Sequence, residues 1–437
     1  MRKRFFSKLA IVMSTALAVS GCFCPIDKAF VNAETIQDED DSYYDDSTDD
    51  SYDDSTDDSY DDSTDDSDNE ETTGTKIDDV KLSSSELQAF VKESDSDENG
   101  YISQSEAEKI TYVSISKKAS QSDLTQIIKL YPNISELMWN AGTLTKLTFP
   151  KNNIKRLNIT SKAASQLVIS GINQKLNNLS YTAQGSKKYA FNFAKGSAYK
   201  KVEDFNLMGK QINGVKLSNA EVGTLYVTDT SAKKIDASSD KIINLWVQNN
   251  KKLSSFTVRN CSKLKSVSCA YNALSRLNIS GCPKLLSVSC DRNKLTKLDI
   301  SKYKNLKSIS CGQNKLKKFD ISKNKKLISV YCNDNKLTEL NTSKNKKLSY
   351  FGCSNNKLNK LNVMPNKKLT TLSCYGNKFT KVNLKKNKEL VSMAVSKTYK
   401  LMSSYIPTAS KSNTNYIYID VKKGTKLNLV KYGPALK

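Results

Sequence analysis

A segment of twelve residues has the residue types and the spacing that bind a hard cation. Carboxylate or amide side chains stand at positions 1, 3, 5 and 12, and Gly100 stands at position 6. Calcium takes about six to eight oxygen ligands, and a tight glycine turn lets a short loop wrap around one ion. The segment therefore predicts calcium binding. The predicted ligands are Asp95, Asp97, Asn99, Tyr101 (through its carbonyl), Ser103 and Glu106.

A helix must hold this loop in place, and the residues before it predict one. Ser83 with Glu86 is typical of a capping box, and Leu87, Phe90 and Val91 share one helical face. Only one such loop is visible in the sequence, so we expect residues 80–109 to form a helical cap that packs on the neighbouring domain. Calcium binding by extracellular modules of this kind is weak, with dissociation constants on the order of 10⁻⁴ to 10⁻³ M.

The composition excludes much familiar catalytic chemistry. The 437 residues include no histidine, so histidine-dependent triads, histidine general bases and histidine metal sites cannot be built. Paired carboxylates of the glycosidase type do not recur on the repeats described below. We therefore predict that the protein is not an enzyme.

The net charge of +23 is unevenly distributed along the chain. Residues 34–108 contain 29 acidic residues and three lysines, whereas residues 109–437 contain 60 basic and 15 acidic residues. The acidic part repeats Ser-Tyr-Asp-Asp-Ser-Thr-Asp-Asp, lacks aliphatic residues and repels itself. Residues 34–79 are therefore predicted to be a disordered spacer, with loose cation binding as the alternative.

The N-terminus has the pattern of an export signal. Four basic residues precede an apolar run from Leu9 to Val19, which is short for a membrane span. Residues 1–33 are therefore a predicted signal peptide, and the protein is predicted to be extracellular or on a bacterial cell surface. Cleavage before Cys22 would make this cysteine a lipidation site and the only membrane anchor. Cleavage after Ala33 would release a secreted protein, and the sequence leaves both open.

An apolar pattern recurs every 21 residues from Leu264 onward, in the form Leu-x-x-Leu-x-Cys-x-x-Asn-x-Leu. Weaker copies extend the array to residues 110–395, about a dozen turns. Each turn supplies a short strand with its apolar residues inward, and only stacked turns bury a core. The predicted fold class is an α+β repeat protein, a leucine-rich-repeat solenoid with a helical cap. The repeat cysteines are Cys269, Cys290, Cys311, Cys332, Cys353 and Cys374.

The order of these parts resembles a known family. The loop at Asp95–Glu106 is of the EF-hand type, a linking strand follows at Ile110–Ile115, and the repeats have the cysteine and asparagine form. This is similar to surface leucine-rich-repeat proteins of anaerobic Gram-positive bacteria, distant relatives of internalins. The resemblance covers residues 80–395 and implies surface recognition or adhesion. The implied partner is an extracellular protein or glycan, and no specific nucleic acid is expected.

Two surfaces of the solenoid are candidates for binding. Outward strand positions carry small hydroxyl residues and scattered tyrosines, which favours recognition on an adaptable concave face. The predicted ligand-binding residues are Ser268, Ser289, Asp291, Ser310, Tyr331, Asn333, Ser354, Ser373 and Tyr375. Alternatively, the lysine-rich edges bind an anionic wall polymer or another polyanion, or are simply solvated. These lysines include Lys294, Lys315, Lys336, Lys357 and Lys378, Lys297, Lys318, Lys360 and Lys381, and the loops Lys323–Lys326, Lys344–Lys347 and Lys385–Lys388.

Other distinctive side chains are predicted to be structural. The repeat cysteines take a position that Leu207 fills in an earlier repeat, which predicts buried free thiols, with disulfides between turns or metal binding as alternatives. Cys261 and Cys282 share another repeat position and are also assigned to structure. Trp139 and Trp246 are predicted to fill the core.

The repeat register fails after Met393. Tyr416–Ile419 and Lys426–Val430 alternate around a turn at Gly424, which predicts a hairpin. A solenoid needs its open apolar end covered, so this hairpin is predicted to cap it within residues 396–437.

Overall fold

The structure, a computed structural model, describes most of the chain from Gly74 onward. Up to residue 390 it omits residues 173, 218–219, 380–381 and 385, and beyond that it describes the backbone of four strands. The described residues belong to one unit, Asn69–Lys437. The predicted signal peptide, Cys22 and most of the predicted spacer lie outside the described residues. None of the described helices is long and apolar enough to cross a membrane.

Three short helices lie near the N-terminal end of the described chain. They are α1, Ser85–Ser94, α2, Gln104–Lys109, and α3, Gln121–Leu130. The loop between α1 and α2 carries the predicted calcium ligands, and its strand β2, Tyr101–Ile102, pairs antiparallel with β1, Thr75–Lys76. The apolar face predicted for α1 is confirmed, because Leu87 and Val91 are buried.

The predicted capping box of Ser83 and Glu86 is wrong. The N-cap of α1 is Ser84, and its side chain makes no capping bond. The N–H and the hydroxyl of Ser83 instead donate to the carboxylate of Asp123, each at 2.6 Å. The carboxylate of Glu86 accepts backbone N–H groups of residues 116–117. Partners that are distant in sequence therefore replaced the local cap.

The predicted solenoid is confirmed as a stack of coils whose strands form one 15-stranded sheet, called the main sheet. All neighbouring strands are parallel except the last pair. The parallel strands are β3, Tyr112–Ser114, β4, Glu136–Asn140, β6, Arg156–Ser161, β8, Leu176–Ala183, β10, Lys201–Met208, β12, Glu221–Thr228, β14, Asn244–Gln248, β16, Ser266–Ser268, β18, Ser287–Ser289, β19, Ser308–Ser310, β20, Ser329–Tyr331, β21, Tyr350–Gly352, β22, Thr371–Ser373, and β23, Ser392–Ser396.

A second set of parallel strands forms the other side of the early coils. Two of them pair, β5, Lys146–Thr148, with β7, Val168–Ser170. The other five form one sheet: β9, Tyr189–Asn192, β11, Ile212–Lys216, β13, Lys234–Asp236, β15, Ser255–Arg259, and β17, Asn278–Ser280. Beyond β17, turns replace most strands on this side among the described residues. The 21-residue repeat is short, which leaves room for a turn but little for a second strand.

The core is a set of apolar ladders that run along the stack. In one coil Leu264, Val267, Cys269 and Leu274 are all fully buried, and the equivalent residues of the next coils repeat this burial. Strand neighbours lie about 4.8 Å apart, so each side chain packs on its counterpart in the next coil. This packing explains why a single coil cannot fold alone.

The repeat asparagine joins neighbouring coils through its side chain. Asn335 donates its amide to the carbonyls of Cys311 at 3.0 Å and Cys332 at 3.1 Å. Its Oδ1 accepts the N–H of Leu316 at 3.0 Å. One side chain therefore satisfies buried backbone groups of two coils. The same arrangement occurs at Asn293, Asn314 and Asn356.

The strands predicted to form a C-terminal hairpin have other partners. Strand β25, Tyr416–Asp420, pairs antiparallel with β23 and ends the main sheet. Strand β26, Leu429–Lys431, pairs antiparallel with β24, Tyr399–Leu401. Among the described residues the two predicted strands therefore pair with preceding segments, and not with each other. An exposed edge of the main sheet offers more backbone partners to β25 than an isolated hairpin does.

Candidate functional site

The loop between α1 and α2 brings three predicted calcium ligands together. One carboxylate oxygen each of Asp95, Asp97 and Glu106 lies within 4.8 Å of the others. Gly100 makes the turn with a φ of +85°, a conformation that favours glycine. A hydrogen bond from Asn99 lowers the pKa of Asp97, but the neighbouring carboxylates outweigh it and raise this pKa. The cluster is thus a concentration of negative charge that a cation would relieve.

Asp95 provides a test of whether these residues fit a cation. It is 9% exposed, and its Oδ2 accepts the N–H of Gly100 at 2.9 Å. Its other oxygen, Oδ1, is buried and has no hydrogen-bond partner. An unpartnered buried oxygen is costly, and a hard cation is the partner that a group of carboxylates accommodates. The residues present therefore fit calcium.

The other predicted ligands take part in the structure of the loop. The Glu106 carboxylate accepts the hydroxyl of Ser96 at 2.6 Å and the N–H of Ser103 at 3.0 Å. These bonds, above all that of the Ser96 hydroxyl, outweigh burial and lower the pKa of Glu106 to about 2. Asn99 donates its amide to Asp97 at 2.9 Å, and its Oδ1 accepts the N–H of Tyr101 at 2.8 Å. Asn99, Tyr101 and Ser103 thus lie in the loop, with the side chains of Asn99 and Ser103 engaged locally.

A second candidate site is the side of the main sheet that points away from the core, called the outer face. Its central column is continuous, because the parallel register places one outward residue of each strand beside the next. Neighbours in the column are about 4.8 Å apart. Its members include Met138, Asn158, Ser180, Asn206, Tyr226, Trp246, Ser268, Ser289, Ser310, Tyr331, Gly352 and Ser373.

Four residues predicted to bind a ligand on this face are used within the protein. Ser268, Ser310 and Ser354 are buried, so the prediction that they are exposed is wrong. Asp291 accepts the Ser310 hydroxyl at 2.7 Å and the N–H of Gly312 at 2.6 Å. Burial raises the pKa of Asp291 although these bonds oppose the shift. Close stacking of the coils hides small side chains that alternation alone places outside.

The remaining predicted residues keep part of their surface exposed. They are Ser289, Tyr331, Asn333, Ser373 and Tyr375. The ring of Tyr331 packs over Gly352, where an added Cβ would lie 2.9 Å from Tyr331 Cδ1. Asn333 accepts the N–H of Ser354 at 2.7 Å. These partly exposed residues form a polar surface with two aromatic rings.

An aromatic stack on the outer face was missed by the sequence analysis. Trp139 is buried as predicted, but Trp246 is partly exposed and lies in the outward column. Its ring is stacked on that of Tyr226, with centroids 6.1 Å apart and planes at 14°. The signal was the alternation in Leu245-Trp246-Val247, since the two flanking residues point inward and are buried.

The repeat cysteines occupy the core, as predicted. All six are buried, and burial raises the pKa of each thiol. Cys290 donates to the carbonyl of Ser310 at 3.4 Å, and Cys332 donates to that of Gly352 at 3.3 Å. A thiol in this state is a small apolar side chain with low reactivity.

Positive charge accumulates along the later coils. The four ion pairs between described residues all precede residue 261. The edge lysines of later coils, such as Lys325, Lys346 and Lys367, are exposed. Lys381 and Lys385 lie outside the described residues. Like charges repeated along a stack repel each other, so this edge favours anions.

Comparison with known proteins supports no assignment beyond the fold. No protein-family model and no curated protein sequence matches this chain. Among solved structures, an internalin from Listeria monocytogenes is similar at 16% identity and a TM-score of 0.41, covering 74% of this chain and 92% of that one. The functional domain of InlJ from the same organism, which includes a cysteine ladder, is similar at 16% identity and a TM-score of 0.39, covering 75% and 91%. A Leptospira interrogans leucine-rich-repeat protein is similar at 14% identity and a TM-score of 0.29, covering 64% and 94%.

Proposed function

We propose that this protein is an extracellular recognition scaffold that binds a protein or glycan partner on the outer face of its main sheet. The observation that carries the proposal is the stack of Tyr226 and Trp246, which are partly exposed in the middle of that face. Tryptophan and tyrosine dominate the binding energy of many interfaces, because they offer a large area at a small cost in side-chain entropy.

The surroundings of the stack favour an uncharged partner surface. In the strand of Trp246 the other outward residues are Asn244 and Gln248, which are amides. Gln248 donates to the hydroxyl of Ser268 at 2.5 Å, which fixes its side chain. Amides hydrogen bond equally well to peptide groups and to sugar hydroxyls. From here the column continues to Tyr331, which we assign to the same surface.

The test is capture of a partner by the immobilised full chain from extracellular proteins and from a glycan array, followed by affinity measurements on variants. Trp246→Ala should weaken binding about 30-fold or more, the effect of a central aromatic residue. Tyr271→Asn is the matched control, since Tyr271 is exposed in a turn beside this face and asparagine tolerates its positive φ. Unchanged affinity of a folded Trp246→Ala protein, with folding verified by circular dichroism, would contradict the proposal.

We also propose that the loop between α1 and α2 binds calcium. Its ligands are Asp95, Asp97, Asn99 and Glu106, the carbonyl of Tyr101, and Ser103 directly or through water. Support comes from the cluster of three carboxylates and the unpartnered Asp95 Oδ1. The proposed role of the ion is structural and not catalytic. It neutralises the cluster and ties α1 to α2.

Calorimetric titration of the full chain with calcium chloride tests this assignment. Binding is expected with a dissociation constant on the order of 10⁻⁴ to 10⁻³ M, and Glu106→Gln should weaken it at least tenfold. Glu108→Gln is the matched control, because Glu108 lies on the same helix and is exposed. Equal affinities of the two variants would refute the assignment of Glu106 as a ligand.

Export is part of the same proposal, either with a lipid anchor at Cys22 or with release after Ala33. Support comes from the sequence alone, namely the apolar run and the residues Val19 to Cys22. Mass spectrometry of the mature protein distinguishes the two forms. A diacylated N-terminal cysteine at position 22 indicates the anchored form, whereas an N-terminus at residue 34 indicates the secreted form.

A second candidate function is binding of an anionic cell-wall polymer by the lysine-rich edges. The observation that favours it is the row of exposed lysines in the later coils, together with the confinement of the described ion pairs to earlier ones. Such binding would be electrostatic and would require no particular pocket. Its affinity should depend strongly on salt, which separates it from recognition by the outer face.

A further inference from the structure

Cys261 and Cys282 lie side by side, away from the ladder of repeat cysteines. Strands β15 and β17 run in parallel directly before them, which places the two residues at the same position in neighbouring coils. The backbones approach closely here, since a Cβ added to Gly281 would lie 3.1 Å from the Cα of Asn260. Strand spacing of about 4.8 Å lies inside the Cα range of a disulfide, about 4.4 to 6.8 Å.

In later coils this position holds the amide of an asparagine that joins two coils. Asn345 donates to the carbonyls of Ile321 at 3.0 Å and Asn324 at 2.9 Å. Asn324, Asn366 and Asn387 make the equivalent bonds. At Cys282 the side-chain bond is a weak thiol contact to Ser280 of the same coil, at 3.3 Å. The junction between these two coils therefore lacks the link that the later junctions have.

The pair also lies closer to solvent than the ladder does. Cys261 and Cys282 are buried, but the residues on both sides of each are exposed. By contrast, none of the six ladder cysteines has an exposed residue directly beside it. A small reagent therefore needs to displace only one turn of chain to reach the pair. The ladder is accessible only if the coils separate.

The two thiols are also electrostatically unequal. The N–H of Ser239 donates to the sulfur of Cys261 at 3.3 Å, whereas the thiol of Cys282 donates to the carbonyl of Ser280. The neighbouring Cys282 thiol and this N–H lower the pKa of Cys261, whereas the neighbouring Cys261 thiol and burial raise the pKa of Cys282. An attacking thiolate beside a protonated resolving thiol is the arrangement that thiol–disulfide exchange uses.

We propose that Cys261 and Cys282 form a redox-active dithiol that closes to a disulfide between neighbouring coils by exchange with small-molecule disulfides. The Cys261 thiolate attacks one sulfur of the external disulfide, forms a mixed disulfide and releases one thiolate. The Cys282 sulfur then attacks Cys261 Sγ, its proton passes to solvent, and the second external thiolate leaves. The two protein thiols lose two electrons and two protons, and the external disulfide becomes two thiols. The new bond replaces the missing coil-to-coil link.

The test is incubation of the folded full chain with oxidised glutathione at neutral pH, followed by denaturation, alkylation of free thiols and tryptic mass spectrometry. The expected product joins peptides 260–263 and 277–284, with a mass two hydrogens below their sum. Two alkylated thiols should be lost per chain, and dithiothreitol should restore them. Cys269 and Cys290 are the internal control, since they have the same spacing and belong to the ladder. They should remain fully alkylated and unlinked.

Variants separate the proposed role from a general exposure of thiols. Cys261→Ser and Cys282→Ser should each abolish the linked peptide, and Cys282→Ser should accumulate a mixed disulfide with glutathione at Cys261. Cys269→Ser should leave formation of the linked peptide unchanged. The proposal is overturned if wild type keeps both thiols alkylated, if it stops at the mixed disulfide, or if the ladder cysteines cross-link at the same rate. None of these outcomes depends on the identity of the binding partner.

Discussion

At the scale of single residues, this protein is held together by buried polar side chains that bridge coils. The repeat asparagine is buried, yet it satisfies backbone groups that the irregular turns would leave without partners. Asp291 and Asp123 have similar roles in their own surroundings, because each accepts two hydrogen bonds from a segment distant in sequence. Removing such a residue exposes no new surface, but it leaves buried groups unpaired.

Asn335→Ala should therefore destabilise the coils around it. The substitution removes three hydrogen bonds to buried backbone groups of two coils, and we expect a loss on the order of 3 kcal/mol in the free energy of unfolding. Chemical denaturation measures it. Asn341→Ala is the control, because Asn341 is exposed and bonds only to Ser343 within its own turn. Equal losses for the two variants would show that the ladder contributes no special stability.

Asp123 should make the N-terminal elements sensitive to acid. Burial raises the pKa of Asp123, but hydrogen bonds from Ser83 and Ser120 outweigh it, so the pKa lies below the ordinary value of 3.8. A carboxylate with a depressed pKa contributes stability above pH 3.8, and this contribution is lost as the pH falls through its folded value. Asp123→Asn should thus lower the free energy of unfolding by about 1 to 3 kcal/mol at pH 7, and by less below pH 3.8.

Hydrogen exchange of α1 and α3 at pH 7 and at about pH 3 measures this difference. Asp79→Asn, at an exposed position, provides the control and should not change the protection of α1 and α3 at either pH. If the difference in hydrogen-exchange protection between wild type and Asp123→Asn is the same at both pH values, the side chain stabilises the fold by its shape and not by its charge.

At the scale of elements, the three helices and the first coils contact one another. Helix α1 contacts residues 116–117 through Glu86, and Ser83, two residues before the helix, donates to Asp123 of α3. The carboxylate cluster lies between α1 and α2, so its charge state acts on both helices. In a repeat array each coil contacts only its neighbours, and a change at one end decays along the stack.

Millimolar calcium should therefore slow hydrogen exchange across residues 82–160 and leave later coils nearly unchanged. Binding stabilises the folded cap by mass action, about 2.7 kcal/mol at a hundredfold excess over the dissociation constant. Glu106→Gln should abolish most of this effect, whereas Glu108→Gln should retain it. Protection that is equal with and without calcium in the wild type would mean that the loop is only a turn.

At the scale of the whole molecule, two binding modes are separated by charge. The outer face around Trp246 is nearly uncharged, whereas the edges of the later coils are lined with lysines. Interactions between exposed charges are screened beyond about 10 Å at 0.1 M salt and beyond about 3 Å at 1 M salt. Contacts between aromatic and amide groups depend much less on salt. The two surfaces thus predict different responses to salt.

Binding to teichoic acid by the lysine-rich edges should fall at least tenfold between about 0.05 and 0.5 M salt. Replacing Lys325, Lys346 and Lys367 by glutamine should reduce both the affinity and its dependence on salt. Lys187→Gln with Lys188→Gln serves as the control in an early coil. Binding that persists at 0.5 M salt but is lost in Trp246→Ala, or in Tyr331→Ala with Tyr375→Ala, would exclude the polyanion function and support the outer face.

The coil, its period and its core follow from local sequence alone. Positions 21 residues apart must stack, so Cys269, Val267 and Leu264 had to be inward, and the repeat asparagine had to serve the backbone. The spacing of the loop between α1 and α2 likewise brought Asp95 and Glu106 together, because both belong to one segment of twelve residues. Local spacing and strict periodicity depend little on what surrounds them.

Tertiary structure decided which outward side chains are accessible and which distant groups pair. Ser310 and Trp246 both alternate outward, but neighbouring coils cover the small side chain and cannot cover the large one. Ser83 left its predicted cap because a buried carboxylate 40 residues away was a stronger partner than the end of its own helix. The strand Tyr416–Asp420 joined the open edge of the main sheet for the same reason. Each of these outcomes depends on competition between partners that are distant in sequence, and only the folded chain brings those partners together.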